Sequence, residues 1–381
     1  MRKLRSIGIL VFAPVLALLG LVGCGSPAPT LQSTVLVSNL TIPWDLTFAP
    51  SGLMFFTERG GAIKVRHPGG GTVQQLNTGS GLSDLFANGE TGLMAIVVDP
   101  QFTDNRRMYT CQGYSAGGVQ DVRVYPWVLS PAGTTLTRQA ALVTGMPSTT
   151  GRHGGCRLRF ANDGRLWIAT GDAAVGTVPQ DLTSLGGKVL RVDRLTGAGV
   201  SGNPFFASTN VNTKRIWSSG HRNLQGLALR PKDGSMWTAE HGPSRDDEIN
   251  RGVTGNFGWD PVPGYDESTP MTDLGKFPTA VTAAWSSGFP TIATSGATWL
   301  TGAKWGAYQD HLAVAALKDS SLRIYRPSAN GITLTLVTTL YDGTFGRLRT
   351  AQLGPDGNLY LTTSNGSATD QIIRITPSNP K

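Results

Sequence analysis

Short apolar or aromatic runs behind polar turns recur along the whole chain: APSGLMFFTERGG, DPQFTDNRRMYTCQGY, ANDGRLWIATGD, RPKDGSMWTAEHG, GAYQDHLAVAALKDSSLRIYR and GPDGNLYLTTSNG. Long helical periodicity is nearly absent and 49 glycines punctuate the runs, which predicts an all-β protein of many short strands. The six copies are spaced by roughly fifty to seventy-five residues, the size of a four-stranded blade with its loops. A six-bladed β-propeller is the simplest closure. A β-sandwich is the competing architecture, but it does not account for the sixfold recurrence.

The copies set polar and charged residues just after the strand that follows the turn: Glu58 and Arg59, Asp172, Glu240 and His241, Lys318, and Asn365. In a propeller the corresponding loops open on one face around a central channel, so these residues are expected to converge there. One stretch stands out. HGGCRLRFANDGRLWIATGD, His153 to Asp172, reads as a strand, a DG turn and a second strand. Such a hairpin brings its two ends together, with a base at one and a carboxylate able to orient it at the other.

Composition adds a compartment. MRKLRS is a basic n-region, IGILVFAPVLALLG an apolar core, and LVGC ends in a cysteine, so residues 1–23 are expected to be a lipoprotein signal peptide and Cys24 a lipidated N-terminus. An uncleaved transmembrane anchor is the alternative, for which the apolar run is short. Residues 24–34 then form a flexible tether and 35–376 the propeller domain. The expected location is the outer face of the cytoplasmic membrane or the cell envelope, with membrane contact through the lipid only. Cleavage removes Arg2, Lys3 and Arg5 from a formal net charge of +8. The remaining positive residues are scattered and form no recognisable nucleic-acid module, which argues against a nucleic-acid partner. Cys111 and Cys156 are the cysteines left, and in an exported protein such a pair is expected to form a disulfide, here between neighbouring blades.

Two further stretches carry chemistry. WSSGHRNLQGLALRP holds Arg222 and Asn223 beside His221. AEHGPSRDDEINRGVTGNFGWDPVPGYDE holds the carbonyls of Gly242 and Pro243 close to Asp246, Asp247 and Glu248. Hard oxygen donors in a turn stiffened by Pro and Gly suit calcium better than zinc, and a solvated acidic loop is the alternative. His153, His221, His241 and His311 lack the spacing of a zinc site. Near the C-terminus, Lys318 and the alternating pair Arg347 and Arg349 would be costly in a channel without an anion, so as a set they suggest a polycarboxylate ligand.

In this order, HGGCRLRFANDGRLWIATGD, QDLTSLGGKVLRV, NPF at Asn203 to Phe205, GHRNLQGLAL, EHGPSRDDEIN and GNFGW resemble the soluble pyrroloquinoline quinone-dependent sugar dehydrogenases, the glucose/sorbosone dehydrogenase family of six-bladed propellers. The resemblance runs from about Val35 to Arg374. It implies a catalytic base at His153, oriented by Asp172, and contacts from Arg222 and Asn223 to the quinone oxygens. It also implies that Lys318, Arg347 and Arg349 hold the cofactor's carboxylates. The carbonyls of Gly242 and Pro243 match ligands of the calcium that binds the cofactor, and Glu248, the Phe257 carbonyl and Glu267 match a second, structural calcium. The implied reaction oxidises an aldose at its anomeric hydroxyl to a lactone and passes electrons to an external acceptor. Three positions depart from the family pattern: Glu90 where some members have a cofactor-contacting glutamine, Cys156 where glycine is common, and Phe289 in place of a tryptophan. Two other functions compete, a non-catalytic surface propeller that binds carbohydrate or protein and a propeller lactonase.

Overall fold

The computed structural model describes residues 27–378; the signal segment and Cys24 lie outside them. Six sheets of four or five strands are arranged in a ring. Their innermost strands are Pro43–Phe48, Leu93–Val98, Gly155–Phe160, Leu224–Leu229, Thr294–Trp299 and Leu348–Leu353. Each touches the next, and the sixth touches the first. The fold is the expected six-bladed propeller, and helix among the described residues is confined to Phe102–Asn105 and two short 3-10 turns.

The ring is closed by pairing the two ends of the chain. Strand Thr30–Leu40 lies antiparallel to Asp370–Ser378, with Thr30 opposite Ser378 and Leu40 opposite Asp370, and becomes the outer strand of the sixth blade. The tether expected over 24–34 is therefore corrected: Thr30 to Thr34 are strand, and the last strand runs to Ser378 rather than ending at 376. The segment lacked an apolar stripe because an outer blade strand is largely exposed.

The second strands explain the dense apolar runs of the sequence. Met54–Glu58, Leu166–Thr170, Met236–Glu240, Leu312–Ala316 and Leu359–Thr363 are buried at every residue because neighbouring blades pack on both faces. A fully buried side chain such as Ile168 or Leu361 contributes about 1.5–3 kcal/mol.

Two features shape the channel face. Every inner strand has a register shift near its start, as between Gly155 and Arg157, Leu224 and Gly226, and Leu348 and Thr350. Such a bulge re-aims side chains out of simple alternation. The second feature is an excursion of the fourth blade: after Glu248–Arg251 the chain crosses to the third blade, where Gly255–Asn256 pairs parallel with Ile216–Ser219, and returns at Trp285–Ser286. As expected, Cys111 and Cys156 are bonded, joining the second strand of blade two to the inner strand of blade three with Cα atoms 6.0 Å apart.

Candidate active site

The hairpin of blade three brings His153 and Asp172 together. Gly155 pairs with Thr170, which sets the residues beyond each strand end side by side. His153 Nδ1 lies 2.8 Å from Asp172 Oδ1, with both side chains buried. The glycines permit this approach. A Cβ on Gly171 would stand 1.9 Å from the His153 carbonyl oxygen, and Gly155, at φ +58°, would carry one 2.3 Å from the Gly171 nitrogen. Asp172 is ringed by donors: Ala174 N–H reaches Oδ1 at 2.8 Å, while Trp259 Nε1 and the Tyr265 hydroxyl reach Oδ2 at 2.9 and 2.7 Å.

Blade four supplies the adjoining wall. The Asp172 amide donates to the Arg222 carbonyl at 2.8 Å, coupling the two loops. Asn223 donates from Nδ2 to Glu90 Oε2 at 2.9 Å. Burial alone would push the Glu90 carboxyl up, but His153, His241, the Asn223 amide and Arg349 together hold it below its usual range. The carboxylate that departs from the family's glutamine is thus paired. Arg222, almost fully buried, donates to the carbonyls of His241 and Gly242 at 3.1 and 3.0 Å and to Glu267 at 2.5 Å.

Arg349 lies on the inner strand of the sixth blade. It is 6% exposed, and its hydrogen-bond partners are neutral: Ser364 Oγ at 3.2 Å and Gln225 Oε1 at 3.3 Å. Burial, then the neighbouring charge of Arg157, pushes its pKa down to about 9, with the Glu90 carboxylate acting in the opposite direction. Among the described residues no carboxylate forms an ion pair with it. Sequence alternation placed Arg347 and Arg349 on one side. The bulge between Leu348 and Thr350 instead accompanies a buried Arg349 and an exposed Arg347. Lys318 is exposed and reaches Thr291 Oγ1 at 3.1 Å. His241 Nε2 is a further buried polar atom without a partner.

The acidic residues of EHGPSRDDEIN separate into different tasks. Asp246 pairs with Arg245 and Ser286. Asp247, fully buried, accepts the amides of Gly242, Ile292 and Ala293 and so pins the loops of blades four and five. Glu248 lies opposite Glu240 across two strands, both bridged by Asn250 Nδ2, and burial followed by the Glu240 charge pushes its pKa up. Two carboxyl groups buried side by side are a donor set that fits a hard cation. The Glu267 carboxylate is taken up by Arg222 and by Arg152, the latter at 2.6 Å. Phe257 is buried against His221, with ring centroids 4.4 Å apart.

Sequence reasoning missed Tyr265 and Trp259, which come from the aperiodic excursion. It also missed the layer beneath Arg349. There Arg157 and Asp45, both fully buried, pair at 2.5 Å, and Arg157 lies over the Trp44 ring at 4.2 Å. The alternation of charged and apolar residues in CRLRF was the available signal. Lys188, in the GGKV segment, caps the carbonyls of Val178, Pro179 and Gly186 at 2.7–2.9 Å and fixes the loop that follows Asp172.

The chain is thus a closed six-bladed propeller that carries a buried histidine–carboxylate pair and a buried arginine without an ion-paired carboxylate among the described residues. Residues 40–374 match the family model described as Glucose / Sorbosone dehydrogenase, and the chain belongs to that family. It is 32% identical over 365 residues to the aldose sugar dehydrogenase YliI of Escherichia coli, covering 92% of this chain and 94% of that one. The crystal structure of the soluble aldose sugar dehydrogenase from Escherichia coli in its apo form superposes with a TM-score of 0.80 at 30% identity, covering 91% of this chain and all of that one. Quinoprotein glucose dehydrogenase B of Acinetobacter calcoaceticus is 29% identical over 265 residues, 62% of this chain and 53% of that protein.

Proposed function

We propose that the protein is an aldose dehydrogenase that uses pyrroloquinoline quinone and oxidises the anomeric hydroxyl to a lactone. The observation that carries this reading is Arg349, a buried cation whose hydrogen-bond partners are neutral and which forms no ion pair among the described residues, an arrangement an anionic cofactor would complete. Arg349, with Lys318 and Arg347 at the exposed rim, would hold the cofactor's carboxylates, and Arg222 and Asn223 its quinone oxygens. When bound, the quinone supplies the acceptor for the C1 hydrogen and its electron pair.

The chain's own part is proton handling and orientation. With Nδ1 turned to Asp172, His153 has Nε2 left to accept the proton of the sugar hydroxyl. Asp172 fixes the ring and stabilises the imidazolium as it forms. Burial of both groups keeps water from competing for that proton.

Calcium belongs to the same proposal. The carbonyls of Gly242 and Pro243 would hold the ion beside the cofactor, where it adds positive charge, and Glu248 with the Phe257 carbonyl would hold a structural one. Glu267 is assigned instead to Arg222.

The location is also proposed: a lipidated Cys24 on the outer face of the cytoplasmic membrane, with electrons leaving to an external acceptor such as a quinone, dye or cytochrome. The test is reconstitution of the mature protein with pyrroloquinoline quinone and Ca²⁺, followed by dye reduction over a panel of aldoses. Turnover of at least one aldose is expected. Failure of both cofactor binding and turnover favours the surface-binding propeller.

A further inference from the structure

Asp172 is expected to orient His153, but the excursion of blade four brings a third group to the pair. The Tyr265 hydroxyl donates to Asp172 Oδ2 at 2.7 Å, and its oxygen lies 3.0 Å from His153 Nδ1. A phenol has one proton to give. With that proton on Asp172, the Tyr265 oxygen faces Nδ1 as an acceptor. Asp172 Oδ1 faces the same nitrogen at 2.8 Å. Two acceptors converging on one ring nitrogen demand an N–H there.

We propose that Tyr265 is a positioning residue that, together with Asp172, holds the proton on Nδ1 of His153 and so makes Nε2 the proton-accepting atom. This rests on the reading of His153 as the base.

The surroundings keep Tyr265 in that role. Trp259 Nε1 donates to the same Asp172 oxygen at 2.9 Å, and the Trp259 and Tyr265 rings meet edge to face with centroids 6.1 Å apart. The Arg152 guanidinium lies over the Tyr265 ring at 5.5 Å and is itself tied to Glu267, which is tied to Arg222. Burial, then the Asp172 charge, pushes the Tyr265 pKa up, so the hydroxyl keeps its proton over the working range. The excursion that carries Trp259 and Tyr265 is anchored on blade three by Gly255–Asn256. The residues that hold the pair therefore come from a different blade than the pair itself.

Tyr265→Phe removes one oxygen and keeps the ring. Nitrogen-15 spectra of the apo-protein labelled at histidine are expected to show His153 as the Nδ1–H tautomer in the wild type and as a mixture with the Nε2–H tautomer in the variant. In the reconstituted enzyme kcat is expected to fall about tenfold, the effect of losing one hydrogen bond, with the sugar KM within about twofold. Affinity for pyrroloquinoline quinone, titrated into the apo-protein, should match the wild type. A wild-type tautomer population in Tyr265→Phe overturns the proposal, whether or not the melting temperature falls. Full turnover in His153→Ala sinks the base assignment instead, and the tautomer measurement, made without cofactor or sugar, still decides the role of Tyr265.

Discussion

His153 Nδ1 and Asp172 Oδ1 are 2.8 Å apart at the open end of a hairpin, 19 residues apart in the chain and both out of contact with bulk water. A pair so placed works as a unit. His153→Ala is expected to lower kcat by about 10²–10⁴, the range for a positioned general base, with cofactor affinity far less affected. Asp172→Asn should give a milder loss, since the imidazole remains but loses its orienting charge. Turnover and cofactor titration on the same preparations check both, and a fully active His153→Ala refutes the assignment.

Cys156 sits three residues beyond His153, at φ +71° in the bulge of the inner strand, and is bonded to Cys111 of the neighbouring blade. Loss of the bond frees a loop of 45 residues, which loop-closure entropy values at about 4 kcal/mol. The Cys111→Ser/Cys156→Ser double variant should therefore show a lower denaturant midpoint. Because the bond braces the strand that follows His153, kcat should fall as well. An unchanged midpoint counts against the staple.

The parts of this architecture that repeat were legible in the chain, and the parts that occur once were not. Polar turns ahead of buried second strands recur in each blade, and the DG turn of Asp163 and Gly164 fixed which residues of the hairpin would meet. Arg349 was singled out in the chain only as one of three cations, with Lys318 and Arg347, and its burial became visible in the fold. Tyr265 and Trp259 were not recognisable, since they ride on a non-repeating excursion whose path is set by tertiary packing on blade three. Strand Thr30–Leu40 escaped notice because its partner is at the far end of the sequence and its outer face is exposed.

Glu267 gives the acid limb of stability a specific contributor. Burial would raise its pKa, but hydrogen bonding to Arg222 and the charges of Arg222 and Arg152 hold it below 4.5. A carboxyl group depressed in the folded state stabilises above its unfolded pKa and loses that contribution as pH falls through the folded value. Glu267→Gln should thus have a lower melting temperature than the wild type at pH 6–7, chiefly because it leaves the buried Arg222 without its counter-ion. The gap should narrow below about pH 4.5. The Glu267 carboxylate is itself 41% exposed, so added salt should shrink its direct share. A gap independent of pH excludes this source.

The lipid-anchor proposal has a geometric counterpart. Leu40 pairs with Asp370, whose carboxylate accepts the amides of Ile42, Asn365 and Gly366 in the loops of the site face. Thr30 lies ten residues back along the same strand, about 33 Å away at the far end of the blade. An anchor at Cys24 would therefore hold the far face toward the membrane and leave the channel mouth open to solvent. Palmitate labelling should mark the wild type and not Cys24→Ala, and turnover with a soluble dye should be equal in the two. An unlabelled wild type refutes the anchor.

Arg349 should trade stability for binding. Its guanidinium is buried among Ser364, Gln225 and the Trp44 ring, with Arg157 close enough to push its pKa down, and it lacks an ion-paired carboxylate. In the apo-protein that charge is a cost, because a desolvated cation hydrogen-bonded to neutral groups, with the Glu90 carboxylate acting only at a distance, recovers only part of its hydration. Arg349→Met keeps an apolar stem of similar reach and removes the charge, so the apo-protein should melt at least about 2 °C higher than the wild type. The same substitution deletes the charge-assisted contact that a carboxylate of pyrroloquinoline quinone would make, and affinity for the cofactor should fall at least about a hundredfold. Arg347→Ala should differ: at an exposed position it leaves the apo melting temperature nearly unchanged and weakens cofactor binding less. Thermal melts of the apo-proteins with parallel cofactor titrations separate the two residues. An Arg349→Met protein that is both less stable and equally avid for the cofactor shows that Arg349 braces the inner strands rather than waiting for an anion.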